Sequence, residues 1–207
     1  MKSGLGLVPA DYAVFEIDGF DRRMAAILRQ VRPKLVRIAD ELALELGRKL
    51  SLELYPHVAR HARRLVNPPP ETWAAFGPSP RGYKRWGYLA LCVSAAGLHA
   101  RVAVKAEAES RPQMGAAVAA EATELAGNLK GVGLARYDRW NFRQMPAEVR
   151  PDAEFFRAVA ETLARKTGGM DLGFGWRRVD AVRLDPRELL DAYRELAPLY
   201  RLLSMHA

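Results

Sequence analysis

The chain has 207 residues, 49% of them hydrophobic and 27% charged, a balance that favours a folded protein over a disordered one and a length that a single core can fill. No apolar run reaches the roughly 18 residues that a membrane-crossing helix needs, and the N-terminal apolar stretch is broken by Pro9 and Asp11 with no small-residue cleavage site; a cytoplasmic protein with no membrane partner is expected. The formal net charge of +8 points to acidic partners, but an excess of Arg over Lys and abundant Ala are also what GC-rich coding produces, so only the clustering of charge informs.

In chain order, the Asp11 to Ile17 piece reads as a helical turn or an entry strand, closed by Asp18-Gly19. Met24, Ile27, Leu28, Val31, Leu35, Ile38, Leu42 and Leu46 recur every three or four residues, which predicts a long amphipathic helix capped by Asp21, kinked or split at Pro33 and stopped at Gly47. From Leu50 the period becomes two, with Leu50, Leu52 and Leu54 on one side of a strand. After the stiff Asn67-Pro68-Pro69-Pro70, Thr72 to Phe76 has strand content.

Trp86 to Ser94 and Leu98 to Glu107 predict an antiparallel hairpin, with Val102 and Val104 facing one way and Arg101, Ala103 and Lys105 the other. Pro112 to Leu129 reads as a helix ending in Gly127 to Gly133, and Leu134 to Phe142 as a strand of poor alternation. Asp152 caps a helix that ends at Gly168-Gly169; Asp171 to Leu184 is extended, its Gly173 and Gly175 marking a bulge or a close backbone approach. Asp185-Pro186 then opens a last helix through Leu203. Strands grouped between helices imply one α+β domain over residues 1–207, with a mostly antiparallel sheet of about five to seven strands and helices packed on its faces.

Cys92 is the lone cysteine and sits between Leu91 and Val93, a packed thiol rather than a nucleophile. The charge that does cluster lies in Tyr55-Pro-His-Val-Ala-Arg-His-Ala-Arg-Arg-Leu-Val-Asn-Pro-Pro-Pro-Glu-Thr-Trp73, followed by Arg81-Gly-Tyr-Lys84. These segments, with Ile17-Asp-Gly-Phe-Asp-Arg-Arg-Met24 and Val31-Arg-Pro-Lys-Leu35, resemble the YktB-like family of uncharacterised bacterial proteins, whose pattern runs P-H-V-A-(K/R)-H-A-R-R-x-V-N-P-P and then R-G-Y-K. The resemblance is dense over about the first 85 residues. Beyond them the family's aromatic-rich strand is replaced by Tyr88-Leu-Ala-Leu-Cys-Val93, and its D-H-T-K-P stretch is absent. It implies a single α+β domain and no established activity.

As a strand, the basic segment would hold His57 and His61 about 13 Å apart, beyond one metal ion. As a short helix it would bring them to about 6 Å, but a third ligand would have to come from elsewhere, such as Glu71. No metal or cofactor is expected. The segment is either solvated charge paired with Glu41, Glu45 or Glu53, or an anion site. In the second reading Arg60, His61, Arg63, Arg64, Arg81 and Lys84 contact the anion, Asn67 belongs to a rigid corner, and Trp73 and Tyr83 stack on a ring or base. The expected function is therefore a binding protein for an acidic or phosphate-bearing ligand, nucleic acid included. The alternative is an enzyme acting on a phosphorylated or carboxylated small molecule, with His57 or His61 as general acid/base. A histidine beside a carboxylate in a pocket would favour the enzyme, and a basic groove without acids would favour binding.

Overall fold

The computed structural model describes residues 4–62, 65–138, 140–142 and 144–204. Helix α1, Pro9–Ala13, starts with proline at a position where no backbone donor is needed; Asp11 folds back to accept the Val8 N–H at 2.7 Å and, fully buried, pairs with Lys34 at 2.7 Å. A short 3₁₀ turn, Val14–Glu16, follows, so the opening piece is helical.

Helix α2, Phe20–Ala26, a π-helical turn, Ile27–Val31, and helix α3, Arg32–Leu50, run on without interruption. Pro33 neither breaks nor splits this helix; the donor it lacks falls just after the wide π turn, where the i→i+4 ladder is already relaxed. Two boundaries differ from expectation. Gly19, at φ 86°, precedes the helix in place of Asp21, and Gly47 lies within it. The helix ends at Ser51 in the left-handed region, φ 53°, because Leu46 and Leu50 continue the buried stripe of Leu35, Ile38, Ala39, Leu42 and Ala43. A Leu-sized side chain buried in that stripe contributes roughly 1.5–3 kcal/mol, enough to override one glycine, which costs about 1 kcal/mol in a helix.

The strand expected from Leu50 therefore begins later, as β1, Tyr55–Val58. It pairs with β2, Glu71–Gly77, which pairs with β3, Gly87–Ser94. Strands β3 and β4, Gly97–Val104, form the expected hairpin through Ala95 and Ala96. The expected single helix after it is two, α4, Arg111–Ala120, and α5, Ala122–Asn128, parted at Glu121. Strand β5 spans only Leu134–Arg136, not the longer run to Phe142, and β6 is Glu148–Val149. Helix α6, Ala153–Ala164, carries the expected cap, the Asp152 carboxylate accepting from the Phe155 N–H at 2.7 Å. Strand β7, Met170–Arg177, gives way to a short helix α7, Arg178–Ala181, before α8, Pro186–Ser204.

Among the described residues the seven strands form one sheet, ordered β1-β2-β3-β4-β7-β5-β6, every pair antiparallel. The protein is thus α+β. Its two sheet faces differ. One, with Ala74, Phe76, Leu89, Leu91, Val93, Ala100, Val102 and Leu172, shares a continuous core with α3, α4, α6 and α8; across it Tyr193 of α8 donates to the Ala90 carbonyl at 2.8 Å. The other carries a small separate cluster, Ala75, Tyr88, Ala90, Cys92 and Ala103, flanked by Trp73 and Tyr83, to which no helix among the described residues contributes.

Candidate functional site

Strand alternation places Glu71, Arg101 and Asp171 on this second face. Arg101 on β4 stands opposite Ala90 and Gly173, and Ala103 opposite Tyr88 and Asp171. Arg101 is 1% exposed and is held by two acids. Its guanidinium reaches Glu71 twice, at 2.7 and 3.3 Å, and Asp171 once, at 3.2 Å, while its Cζ lies 3.9 Å from the Tyr137 ring centroid and 5.3 Å from that of Trp140. Burial works against this charge, and the facing carboxylates outweigh it, so the guanidinium stays protonated well above its ordinary range. Gly173 makes the arrangement possible, since a Cβ there would lie 2.0 Å from the Ala100 carbonyl oxygen and 2.8 Å from the Arg101 Cα.

Asp171 is the less satisfied of the two acids. Its Oδ2 takes the Arg101 bond, its Oδ1 is covered and without a hydrogen-bond partner, and its side chain is 22% exposed. Burial, reinforced by Glu71 and opposed by Arg101 and Lys105, pushes its carboxyl up to about 6. Deeper along β4, His99 is fully buried, Nε2 linked to Ser94 Oγ at 3.0 Å and Nδ1 to the Tyr137 hydroxyl at 3.2 Å. Burial, then the Arg101 charge, drives the His99 imidazole well below its usual range, so it is neutral. Gly175 clears this link, because a Cβ there would sit 2.8 Å from the Tyr137 hydroxyl and 2.9 Å from His99 Nδ1. Ser94 and His99 have the elements of a nucleophile–base pair, but neither lines any of the cavities described here, and among the described residues no carboxylate orients the imidazole. They hold Tyr137 against Arg101.

Over this network lies a cavity of about 550 Å³, with Glu71, Trp73, Tyr88, Lys105, Tyr137, Phe142, Arg165 and Asp171 in its lining. The Lys105 ammonium sits 5.4 Å from the Trp73 ring centroid and 6.0 Å from that of Tyr88, and among the described residues it makes no hydrogen bond or ion pair. The cavity thus joins an uncommitted cation, aromatic walls and a carboxyl that titrates near neutrality.

The basic segment is arranged otherwise. Its start is strand β1, Tyr55–Val58, and from 59 to 62 it is neither strand nor helix, although the Ala59 N–H still donates to the Trp73 carbonyl at 2.9 Å. His57 Nε2 lies 2.9 Å from the Ser79 carbonyl oxygen, which can only accept, so Nε2 carries the hydrogen. With Arg81, Tyr83, Lys84, Arg85 and Trp86 it lines a second cavity of about 590 Å³ that has no carboxylate in its lining. His61, at φ 50°, contacts Thr72 Oγ1 at 3.0 Å and the Trp73 ring edge. Arg60 and Asn67 are exposed, and none of these three lines the second cavity. Arg63 and Arg64 lie outside the described residues. Lys84 is paired with Glu107 at 3.4 Å.

Glu41 pairs with Arg37, Glu45 with Arg48, and Glu53 accepts from the Tyr55 hydroxyl; Glu71, considered as a metal ligand, serves Arg101. Trp73 belongs to both regions, since its indole N–H donates to the Tyr83 hydroxyl at 2.9 Å and Tyr83 packs edge-on against Tyr88. These three rings form the wall between the two cavities. Cys92 is buried on the bare face, its thiol pushed up by burial.

A family model described as "Domain of unknown function (DUF1054)" matches residues 8–200. Among curated relatives, a UPF0637 protein of Bacillus velezensis is 29% identical over 205 residues, covering 93% of each chain. One of Lysinibacillus sphaericus is 51% identical over 74 residues, 36% of this chain and 35% of that one, and one of Oceanobacillus iheyensis is 46% identical over 80 residues, 39% of each. These two alignments span well under half of the relatives' length, whereas the first spans nearly all of it.

Proposed function

The chain belongs to the DUF1054 family, described only as a domain of unknown function, and we propose that its sheet-face cavity binds a small acidic molecule that carries a ring. The observation that carries this reading is Lys105, an ammonium without an ion pair among the described residues, set over Trp73 and Tyr88 inside a cavity of about 550 Å³. A cation beside aromatic faces suits an anion attached to a planar group. The volume admits a ring with one acidic group and favours a small molecule over a nucleic-acid strand. Binding is also favoured over catalysis by a histidine, because the cavity that His57 lines has cations and no carboxylate beside it. Arg81 and Lys84 become outer charges that raise the local concentration of anions, and Trp73 the residue through which the basic segment touches the site.

The test is an NMR titration of the protein with benzoate and with phenyl phosphate. At least one should give saturable shifts centred on Trp73, Tyr88 and Lys105, and Lys105→Met should weaken that binding at least tenfold while leaving the fold intact. Shifts confined to His57, Arg81 and Lys84 would move the site to the second cavity, and no saturable shift with either probe would end the proposal.

A further inference from the structure

On the preceding reading, we infer that the cavity is selective for a monoanionic carboxylate, which it binds through a proton shared with the Asp171 carboxyl while Lys105 balances the ligand's charge. Charge matching leads there first. Arg101 is spent on Glu71 and Asp171, one cation between two acids, which leaves two lining cations without an ion pair among the described residues, Lys105, half-buried over the aromatic walls, and Arg165, exposed. The half-buried ammonium matches one negative charge; a phosphate dianion would bring a second into a cavity already lined by the carboxylates of Glu71, Asp138 and Asp171.

The acceptor balance leads to the proton. An ionised carboxylate offers about four lone-pair sites, and Asp171 uses one, toward Arg101. A ligand carboxylate entering beside it meets a like charge unless one of the pair is protonated. A carboxyl and a carboxylate sharing one proton form a short, charge-assisted hydrogen bond and remove the repulsion.

The groups facing Asp171 leave it as the source of that proton. They are Arg101 and Lys105 from β4 and the residues after it, Glu71 from β2, Tyr88 and Cys92 from β3, Tyr137 and Asp138 after β5, and Arg165 after α6. Burial pushes the Tyr88 and Tyr137 phenols and the Cys92 thiol upward, so all three stay neutral. Arg101 remains charged, and Glu71 accepts its two bonds. The Asp171 carboxyl, raised to about 6, is partly protonated at neutral pH, and a bound anion raises it further, so the complex takes up a proton. Affinity is then level below about pH 6 and falls as pH rises above it, approaching tenfold per unit while the bound carboxyl stays protonated.

Isothermal titration of the full chain with benzoate, which stays ionised throughout this range, reads the proton directly. Repeated at pH 7 in buffers of different ionisation enthalpy, it should show uptake approaching one proton, and affinity falling by about tenfold per unit between about pH 6.5 and 8. Asp171→Asn keeps a hydrogen-bond donor and should bind benzoate with an affinity flat over that range. The wild-type proton count decides the matter even if this variant does not fold. At pH 8, phenyl phosphate, a dianion, should bind more weakly than benzoate. Benzoate binding without proton uptake, or tighter binding of phenyl phosphate at pH 8, overturns this inference and leaves the cavity's ligand-binding role standing; binding of neither probe overturns both.

Discussion

The two faces of one sheet are built from the same strands and follow opposite rules. On β4, Leu98, Ala100, Val102 and Val104 enter the helix-covered core, where burial stabilises without regard to partner. The residues between them are His99, Arg101 and Ala103, and on β7 the residues facing Arg101 and His99 are Gly173 and Gly175. There the polar side chains depend on one another: Arg101 on Glu71 and Asp171, Tyr137 on His99, His99 on Ser94. A buried ion cluster is often no better for stability than apolar residues of the same shape. Two glycines and a fully buried arginine are nonetheless accommodated on the bare face, where the proposed ligand site lies.

The most severe way to break this contrast is Arg101→Met. It removes the cation and leaves Glu71 and Asp171 uncompensated, a loss of about 3–5 kcal/mol for breaking a buried pair, measured by chemical denaturation. Adding Glu71→Gln and Asp171→Asn to it should recover most of that loss, since no charge is then stranded. If the single substitution costs under about 1 kcal/mol, the cluster is solvated and the bare face is ordinary surface.

A smaller effect comes from pH. The Asp171 carboxyl is raised from 3.8 to about 6 in the folded protein, so between those values the folded state holds a proton that the unfolded state has released. Stability from this group is therefore present at low pH and lost as pH rises through about 6. The shift corresponds to at most about 3 kcal/mol. Denaturation of wild type and Asp171→Asn across pH 4 to 7 should show the wild type gaining on the variant as pH falls. A constant difference would mean that the carboxyl titrates at its ordinary value.

Much of the helix-covered face was legible in sequence. The three- and four-residue spacing from Met24 to Leu46, the Ala95-Ala96 hairpin and the Asp152 and Asp185-Pro186 starts all mark elements present in the fold, because they rest on local periodicity and caps. Boundaries failed where burial outweighed a local signal, as when Leu50 carried α3 past Gly47. The candidate site was harder to see. Its core joins residues 71, 101, 137 and 171, which only the pairing of β2, β3, β4 and β7 brings together. Two clues lay in the chain: Arg101 and Lys105 opposite Val102 and Val104, and glycines alternating through β7. The second fits a bulge or a close backbone approach; the pairing is regular and the approach is what the glycines serve, but nothing local said what approached. The charge of the 55–64 segment is the stronger local signal, and among the described residues expected to contact a ligand only Trp73 lines the sheet-face cavity.

The smallest expected effect tests the basic segment against that cavity. Arg81 is exposed and Lys84 forms an exposed pair with Glu107, a kind of contact worth about 0–1 kcal/mol and screened by salt. The aromatic wall of Trp73, Tyr83 and Tyr88 stands between these charges and Lys105. Replacing Arg81 and Lys84 together by Ala should then shift stability by less than about 0.5 kcal/mol and weaken benzoate binding by no more than about threefold. Any such weakening should vanish when ionic strength is raised, since charges beyond a Debye length of about 8 Å act only through the screened field. Lys105→Met should keep its larger loss at every salt concentration, because its contact with the anion is direct. A double variant that loses binding as completely as Lys105→Met, in high salt as in low, would put the ligand in the His57 cavity and make the basic segment the site after all.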